Sequence, residues 1–291
     1  MTLRTVASLL RSTLQAWQKD DASRLAAALA YYTIFSLAPV LVIVVAIAGA
    51  VFGQDAVQGE LVGQLRSLIG QQGADMVQLA LSNTQTSDTG GFWPTLISVA
   101  LLIFGATGVF SQLQTALNQI WNVTPPKQGI VQFIRTRLLS FAMVAVIGFL
   151  LLVSLMLSAG LAALDNVFSG LQLWAPLLQG LNAAVSFGVI TLLFGLIYKV
   201  LPDVSIAWRD VTVGAAITAL LFTLGKFLIG LYLGNSSVGS AYGAAGSLAV
   251  ILIWVYYSAQ ILFLGAEFTQ VYANRYGSKI VAAHHGLSKR R

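Results

Sequence analysis

The sequence predicts an all-α, polytopic membrane protein, and three observations carry that prediction. Only 9% of the 291 residues are charged while 57% are hydrophobic, and the mean hydropathy is +0.81. Soluble domains carry roughly 25% charged residues. Apolar windows long enough to cross a bilayer, which takes about 18 residues or more, recur along the chain. Lysine and arginine are confined almost wholly to one alternate set of the loops between those windows.

Six windows qualify: about 25–53, 92–110, 139–164, 179–201, 211–233 and 244–268. They form a single membrane domain spanning residues 1–291. Before the first stands a segment, about 3–18, in which Leu3, Val6, Leu10, Leu14 and Trp17 recur at helical spacing with Arg4 and Arg11 beside them. Such a stripe suits a helix lying in the cytoplasmic interface. Charges at Arg4, Arg11, Lys19, Asp20, Asp21 and Arg24 leave no apolar core for a cleavable signal, so the first span is expected to be a retained anchor.

The first span, LAAALAYYTIFSLAPVLVIVV, places phenols, hydroxyls and a proline ahead of its most apolar run. At 100° per residue Tyr32, Ser36 and Pro39 fall within about 60° of one another, with Ala28, Ala46 and Ala50 extending the face. Tyr31 and Thr33 flank it. Two uses remain open: close packing on another helix through small side chains, or the lining of a path through the bilayer.

The exterior segment, about 54–91, carries Val57, Leu61, Leu65 and Leu68 on one helical face and Met76, Leu79 and Ala80 on another. It reads as two short amphipathic helices, forming either a cover over span ends or a gate. After the second span, Phe110, Leu113, Leu117, Ile120 and Trp121 keep helical spacing. They make either a separate interfacial helix or a continuation of that span.

Lys226 is the one basic residue inside a span, roughly 22 Å from the cytoplasmic start of the fifth. It either snorkels to the outer headgroups or faces an aqueous or anion-accepting cavity opening outward, or an anionic lipid headgroup. The run GNSSVGSAYGAAGS follows, with glycines at 234, 239, 243 and 246; it is either a flexible turn or irregular backbone beside a cavity. In the last span Tyr256, Gln260 and Glu267 lie within about 40° on one face. Glu267 stands near the cytoplasmic end, as an interfacial carboxylate paired with Arg275, Lys279 or a loop base, or as a proton or cation relay. The distance across the bilayer argues against its pairing with Lys226.

Fourteen basic residues fall on one side, in the N-terminal segment, the loops at Lys127–Arg137 and Lys199–Arg209, and the tail at about 274–291. Arg66 stands on the other, among Asp55, Glu60, Asp75, Asp88 and Asp165. Positive-inside reasoning therefore places both ends in the cytoplasm, and the net charge of +6 reflects topology and anionic lipid rather than nucleic acid. Membrane lipids are the expected partners, with self-association through small-residue faces left open.

There is no cysteine, which excludes disulfides and thiolate metal sites. Asp203 and Asp210 are flanked by Lys199 and Arg209, so capping and local ion pairs account for them. His284 and His285 are adjacent and cannot chelate as an i,i+4 pair would. No GxSxG, HExxH or P-loop spacing occurs, so neither an enzyme, a cofactor nor a metal is expected.

Four stretches carry a family resemblance: residues 25–49, IWNV with RTRLLSF, YKVLPDVSIAWRDVTVGAAITALLFTLGKFLIGLYL, and SSVGSAYGAAGSLAVILIWVYYSAQILFLGAEFTQVYA. In this order and spacing the chain resembles the YihY/BrkB family, also labelled virulence factor BrkB, from about residue 15 to 275. The resemblance implies six spans, a bacterial inner-membrane location and a role in export or transport linked to the cell envelope. It names no substrate. The family's older label, ribonuclease BN, is regarded as a misattribution. An envelope scaffold that transports nothing is the alternative to transport.

Overall fold

The computed structural model describes residues 3–53, 92–124, 174–235 and 246–277, individual positions between 55 and 82 and between 138 and 150, and tail residues 281–282 and 287–288. The described chain is nearly all helical. Its long elements are α1 (Leu3–Lys19), α2 (Ala22–Phe52), α3 (Phe92–Ile120), α4 (Trp174–Val200), α5 (Trp208–Asn235) and α6 (Gly246–Tyr276). Among the described residues, parts of α4, α5 and α6 are long and apolar enough to cross a membrane, and α2 makes a fourth if its two limbs count as one span.

Five of the expected windows coincide with helices. The third, 139–164, lies outside the described residues except at positions 142, 143, 146 and 150, all helical. α3 runs unbroken from Phe92 to Ile120, so the amphipathic stretch ending at Trp121 continues the second window rather than forming a separate helix. α6 extends to Tyr276, two turns past the expected end at 268. Glu267 therefore has helix on both sides of it.

α2 bends by 53° between Ala22–Leu37 and Pro39–Val45. Proline supplies no N–H to the residue four back and its ring crowds that carbonyl, which is the standard cause of such a kink. The turn between α1 and α2 is tight: Asp21 has φ 56° and ψ 44°, a left-handed conformation that aspartate tolerates better than most residues.

α6 is the central helix, packing against α1, α2, α3 and α5; α2 also packs on α3, and α4 on α5. Most of the core gathers where α1, the start of α2, the ends of α3 and α4, the start of α5 and the end of α6 converge. Leu25, Leu117, Ile120, Tyr198, Val211, Phe263 and Ala266 are among its buried members. All of these lie toward the basic loops. Away from that end the helices carry exposed apolar side chains, such as Phe35 on α2 and Leu224, Phe227 and Leu228 on α5.

Two very short antiparallel pairs complete the described chain, and the periodicity of the sequence predicts neither. β1 (Val123–Thr124) pairs with β4 (Leu287–Ser288), and β2 (Val204–Ser205) with β3 (Val281–Ala282). The tail thus meets the loops that follow α3 and α4.

The exterior segment is helical at its described positions. Val57 is buried with Val45, and Val77 with Leu41 and Ile251, so this segment packs on α2 and α6. Its second contact face is Ala74 and Val77, whereas Leu79 is exposed. Leu65, Leu68, Met76 and Ala80 lie outside the described residues.

Candidate functional site

The first-span face turns out to meet α3. Ser36 is 3% exposed, and its hydroxyl donates to the Gly105 carbonyl at 2.6 Å. A methyl group at Gly105 would sit 2.9 Å from Pro39 Cγ, and one at Gly108 would sit 3.3 Å from Ser36 Oγ and 3.6 Å from Tyr32. Missing Cβ atoms let the two backbones approach this closely. Tyr32 itself is partly open, edge-on to Tyr31 with centroids 5.8 Å apart; Tyr31 is tilted against Phe35 at 4.9 Å.

Lys226 is exposed and lies at a narrow crevice between α5 and α6 with Phe222, Trp254, Tyr257 and Ser258, which has no room for a water-sized guest. Gly225 beside it is covered by Tyr257 and Ile261. On α6, Tyr256 is exposed at 37%, while the Gln260 side-chain oxygen is buried without a hydrogen-bond partner among the described residues. Gly234 lies in the last turn of α5 and Gly246 opens α6; Gly239 and Gly243 fall outside the described residues.

Glu267 has the most demanding environment. Its exposure is 0%, and neither carboxyl oxygen has a hydrogen-bond partner among the described residues. Phe263, Ala266 and Thr269, on the same stretch of α6, are also fully buried. The charged groups acting on it are the Asp20 carboxyl, in the α1–α2 turn, and the Lys19 ammonium. Arg275, one of the partners expected from the sequence, instead donates to Ser8 on α1 at 3.1 Å and lies over the Tyr276 ring. Lys279 lies outside the described residues.

Asp20 is half-buried, and burial raises its carboxyl above the usual value of 3.8, opposed by the Lys19 charge and then by contact with Glu267. Its backbone is fixed by α3, since Gln119 Nε2 donates to the Asp20 carbonyl at 2.8 Å. The neighbouring Arg24–Asp21 ion pair, at 3.2 Å, is exposed on both sides and adds little.

Around this junction the helices are locked by short polar contacts that the sequence pattern did not single out. Tyr198 on α4 donates to the Leu262 carbonyl on α6 at 2.7 Å and lies 3.1 Å from Thr218 Oγ1 on α5. Thr218 also reaches the Gly214 carbonyl at 2.8 Å. Gly214 and Gly265 stand where any Cβ would collide, the first with Thr269 and the second with Thr218 and Tyr198. A tyrosine among apolar neighbours near the end of a span was the one available signal, because a buried phenol needs a partner.

Asp203 is held by Asn118 rather than by the flanking bases. Asn118 Nδ2 donates to Asp203 Oδ2 at 2.9 Å, and the Asp203 N–H returns a bond to Asn118 Oδ1 at 2.8 Å. Lys199 donates to the Ile206 carbonyl and lies 5.9 Å from the Trp208 ring centroid. Asp210 is buried in the first turn of α5 against the backbone of Gly277. Among the described residues no group of three His, Cys, Asp or Glu side chains is placed to hold a metal ion.

A sequence model of the family described as virulence factor BrkB matches residues 13–289. Curated relatives are named UPF0761 membrane proteins. That of Acinetobacter baylyi is 25% identical over 93% of this chain and 63% of its own length. That of Alcanivorax borkumensis is 27% identical over 86% of this chain and 57% of its own. That of Psychromonas ingrahamii is 29% identical over 87% of this chain and 84% of its own. The chain thus spans less than two thirds of the first two relatives. No solved structure matches it.

Proposed function

From the premise that this chain belongs to the virulence factor BrkB family of membrane proteins, we propose that it is a transporter or exporter of an amphiphilic, envelope-related substrate. In this reading it crosses the bacterial inner membrane six times with both of its ends in the cytoplasm. On the same reading it is not an enzyme, ribonuclease included, since no GxSxG, HExxH or P-loop spacing points to one. The topology rests on the six apolar windows and on fourteen basic residues gathered on one side.

One observation carries the functional part: Glu267, fully buried on a membrane helix, has no hydrogen-bond partner among the described residues. Such a carboxyl is expensive to keep in a bilayer and contributes nothing to packing that an apolar residue would not do better. Lys226, a cation on the outer half of α5, adds a second costly group at membrane depth.

The test is efflux from vesicles reconstituted with the full chain and loaded with a fluorescently labelled anionic amphiphile. Wild type is expected to release the probe several-fold faster than protein-free vesicles, and Glu267→Gln and Lys226→Ala to slow it. Wild-type release equal to that of protein-free vesicles supports the second reading instead, a non-transporting envelope scaffold. That alternative draws on Ser36, Pro39, Gly105 and Gly108, which are engaged in helix packing rather than in lining a channel.

A further inference from the structure

We propose that Asp20 and Glu267 together bind one proton, making the junction between the α1–α2 turn and α6 a proton-binding site at the cytoplasmic end of the bundle. The inference deepens the transport reading by naming the ion that drives it, but its test does not depend on that reading.

Three independent features of the site converge. Glu267 is fully buried, and neither of its oxygens has a donor among the described residues, so an ionised carboxylate there lacks both solvation and partners. The group brought against it is a second acid, Asp20, and two adjacent carboxyls do not both ionise readily. Asp20 is not there by accident of a flexible side chain. Its backbone is clamped by Gln119 from α3 and turned by the left-handed Asp21.

The surroundings select a proton over a metal cation. A calcium ion takes about six to eight oxygen ligands and magnesium about six in strict octahedral geometry. Two carboxyls, with no third acidic or histidine ligand among the described residues, do not approach either set. Among the described residues Lys19, at the end of α1, is the one opposing charge acting on Glu267. α2, α3 and α5, which also pack on α6, add none to it among the described residues.

The site also has a route to conformation. A shared proton lets the two acids sit together, whereas its loss leaves two like charges between the α1–α2 turn and α6. α1 rests on α6 through this junction and through Arg275 and Ser8. Charging of the pair therefore pushes on the one end of α1 that is fixed to the first membrane helix.

Infrared difference spectra of the full chain in lipid nanodiscs, stepped from roughly pH 5 to pH 9, test this directly, the upper limit covering the range documented for buried glutamates. The expected result is a protonated-carboxyl band that bleaches as pH rises, shifts in heavy water, and is absent from Glu267→Gln. Asp20→Asn, a change at a half-exposed turn, is expected to keep a band but to move its midpoint by about tenfold or more in proton concentration. A Glu267→Gln spectrum identical to wild type overturns the proposal, as does a band that responds to sodium but not to pH, or an Asp20→Asn midpoint unchanged from wild type. A titrating band in a protein that releases no probe from vesicles keeps the proton site and rejects the transport reading.

Discussion

The hydroxyl of Ser36 donates to the carbonyl of Gly105 at 2.6 Å, tying the kinked half of α2 to the middle of α3 across 69 residues of sequence. The bond is possible because Gly105 and Gly108 have no side chains where Pro39, Ser36 and Tyr32 approach. Gly105→Val and Gly108→Val are expected to destabilise the protein by about 1–3 kcal/mol through overpacking. Ser36→Ala removes one interhelical bond and should cost only about 0.6 kcal/mol. Thermal unfolding in detergent ranks the three, and a Ser36→Ala loss larger than that of either glycine variant would contradict this account.

Because the chain contains no cysteine, single cysteines report water access cleanly. A cysteine at position 36, inside the α2–α3 contact, is expected to resist a membrane-impermeant thiol reagent in the folded protein. The transport reading expects cysteines at 226 and 260 to be labelled. Labelling at 36 as fast as at 226 would mean that α2 and α3 part in solution.

Tyr198 joins α4 to α6 and reaches Thr218 on α5 within a fully buried setting. Tyr198→Phe leaves the Leu262 carbonyl without that donor and is expected to cost about 1–3 kcal/mol. Combined with Thr218→Val in a double-mutant cycle, the coupling is expected near 0.6 and below about 1.7 kcal/mol, the range found between membrane helices. Simple additivity would show that the two hydroxyls act separately.

Asp20 sets a pH dependence whose sign follows from its burial. Its carboxyl is raised above 3.8 in the folded protein, so above that pH the folded state holds more proton than the unfolded chain. Stability is then fully present below 3.8 and declines as pH rises through the raised value. Asp20→Asn is expected to flatten this decline, read as melting temperature against pH. The effect is small because the side chain is only half-buried.

The Asn118–Asp203 pair fixes the end of α3 to the connection between α4 and α5 by two reciprocal bonds. Asn118→Asp keeps the shape and replaces a donor with a like charge. It should destabilise more than Asn118→Ala at neutral pH and recover as acid protonates the pair. Equal losses at all pH values would point to packing rather than charge.

How far the sequence reaches differs from element to element. The amphipathic stripe of α1 is legible, but the buried face is a neighbouring one: Val6, Leu10 and Leu14 stay exposed at 42%, 54% and 53%, while Leu9 and Thr13, outside the stripe, are buried. Apolar residues on a membrane-surface helix have two apolar places to go, lipid and protein, and periodicity does not distinguish them. The extension of α6 past residue 268 was hidden by the polar residues Thr269, Gln270, Asn274 and Arg275, which end an apolar window without ending a helix.

The sequence by itself determined the membrane class, the helical windows now occupied by α2 to α6, the proline in α2 and the one-sided distribution of basic charge. These are local properties, set by composition, by 3.6-residue periodicity and by the bilayer's demand for satisfied backbone. The tertiary structure alone decided what each polar face meets. Tyr32, Ser36 and Pro39 meet the glycines of α3, and Glu267 meets Asp20 beside Lys19. Helical phase tells which residues share a face, but the partner of that face depends on how helices distant in sequence are arranged, and the periodicity of one helix holds no record of that.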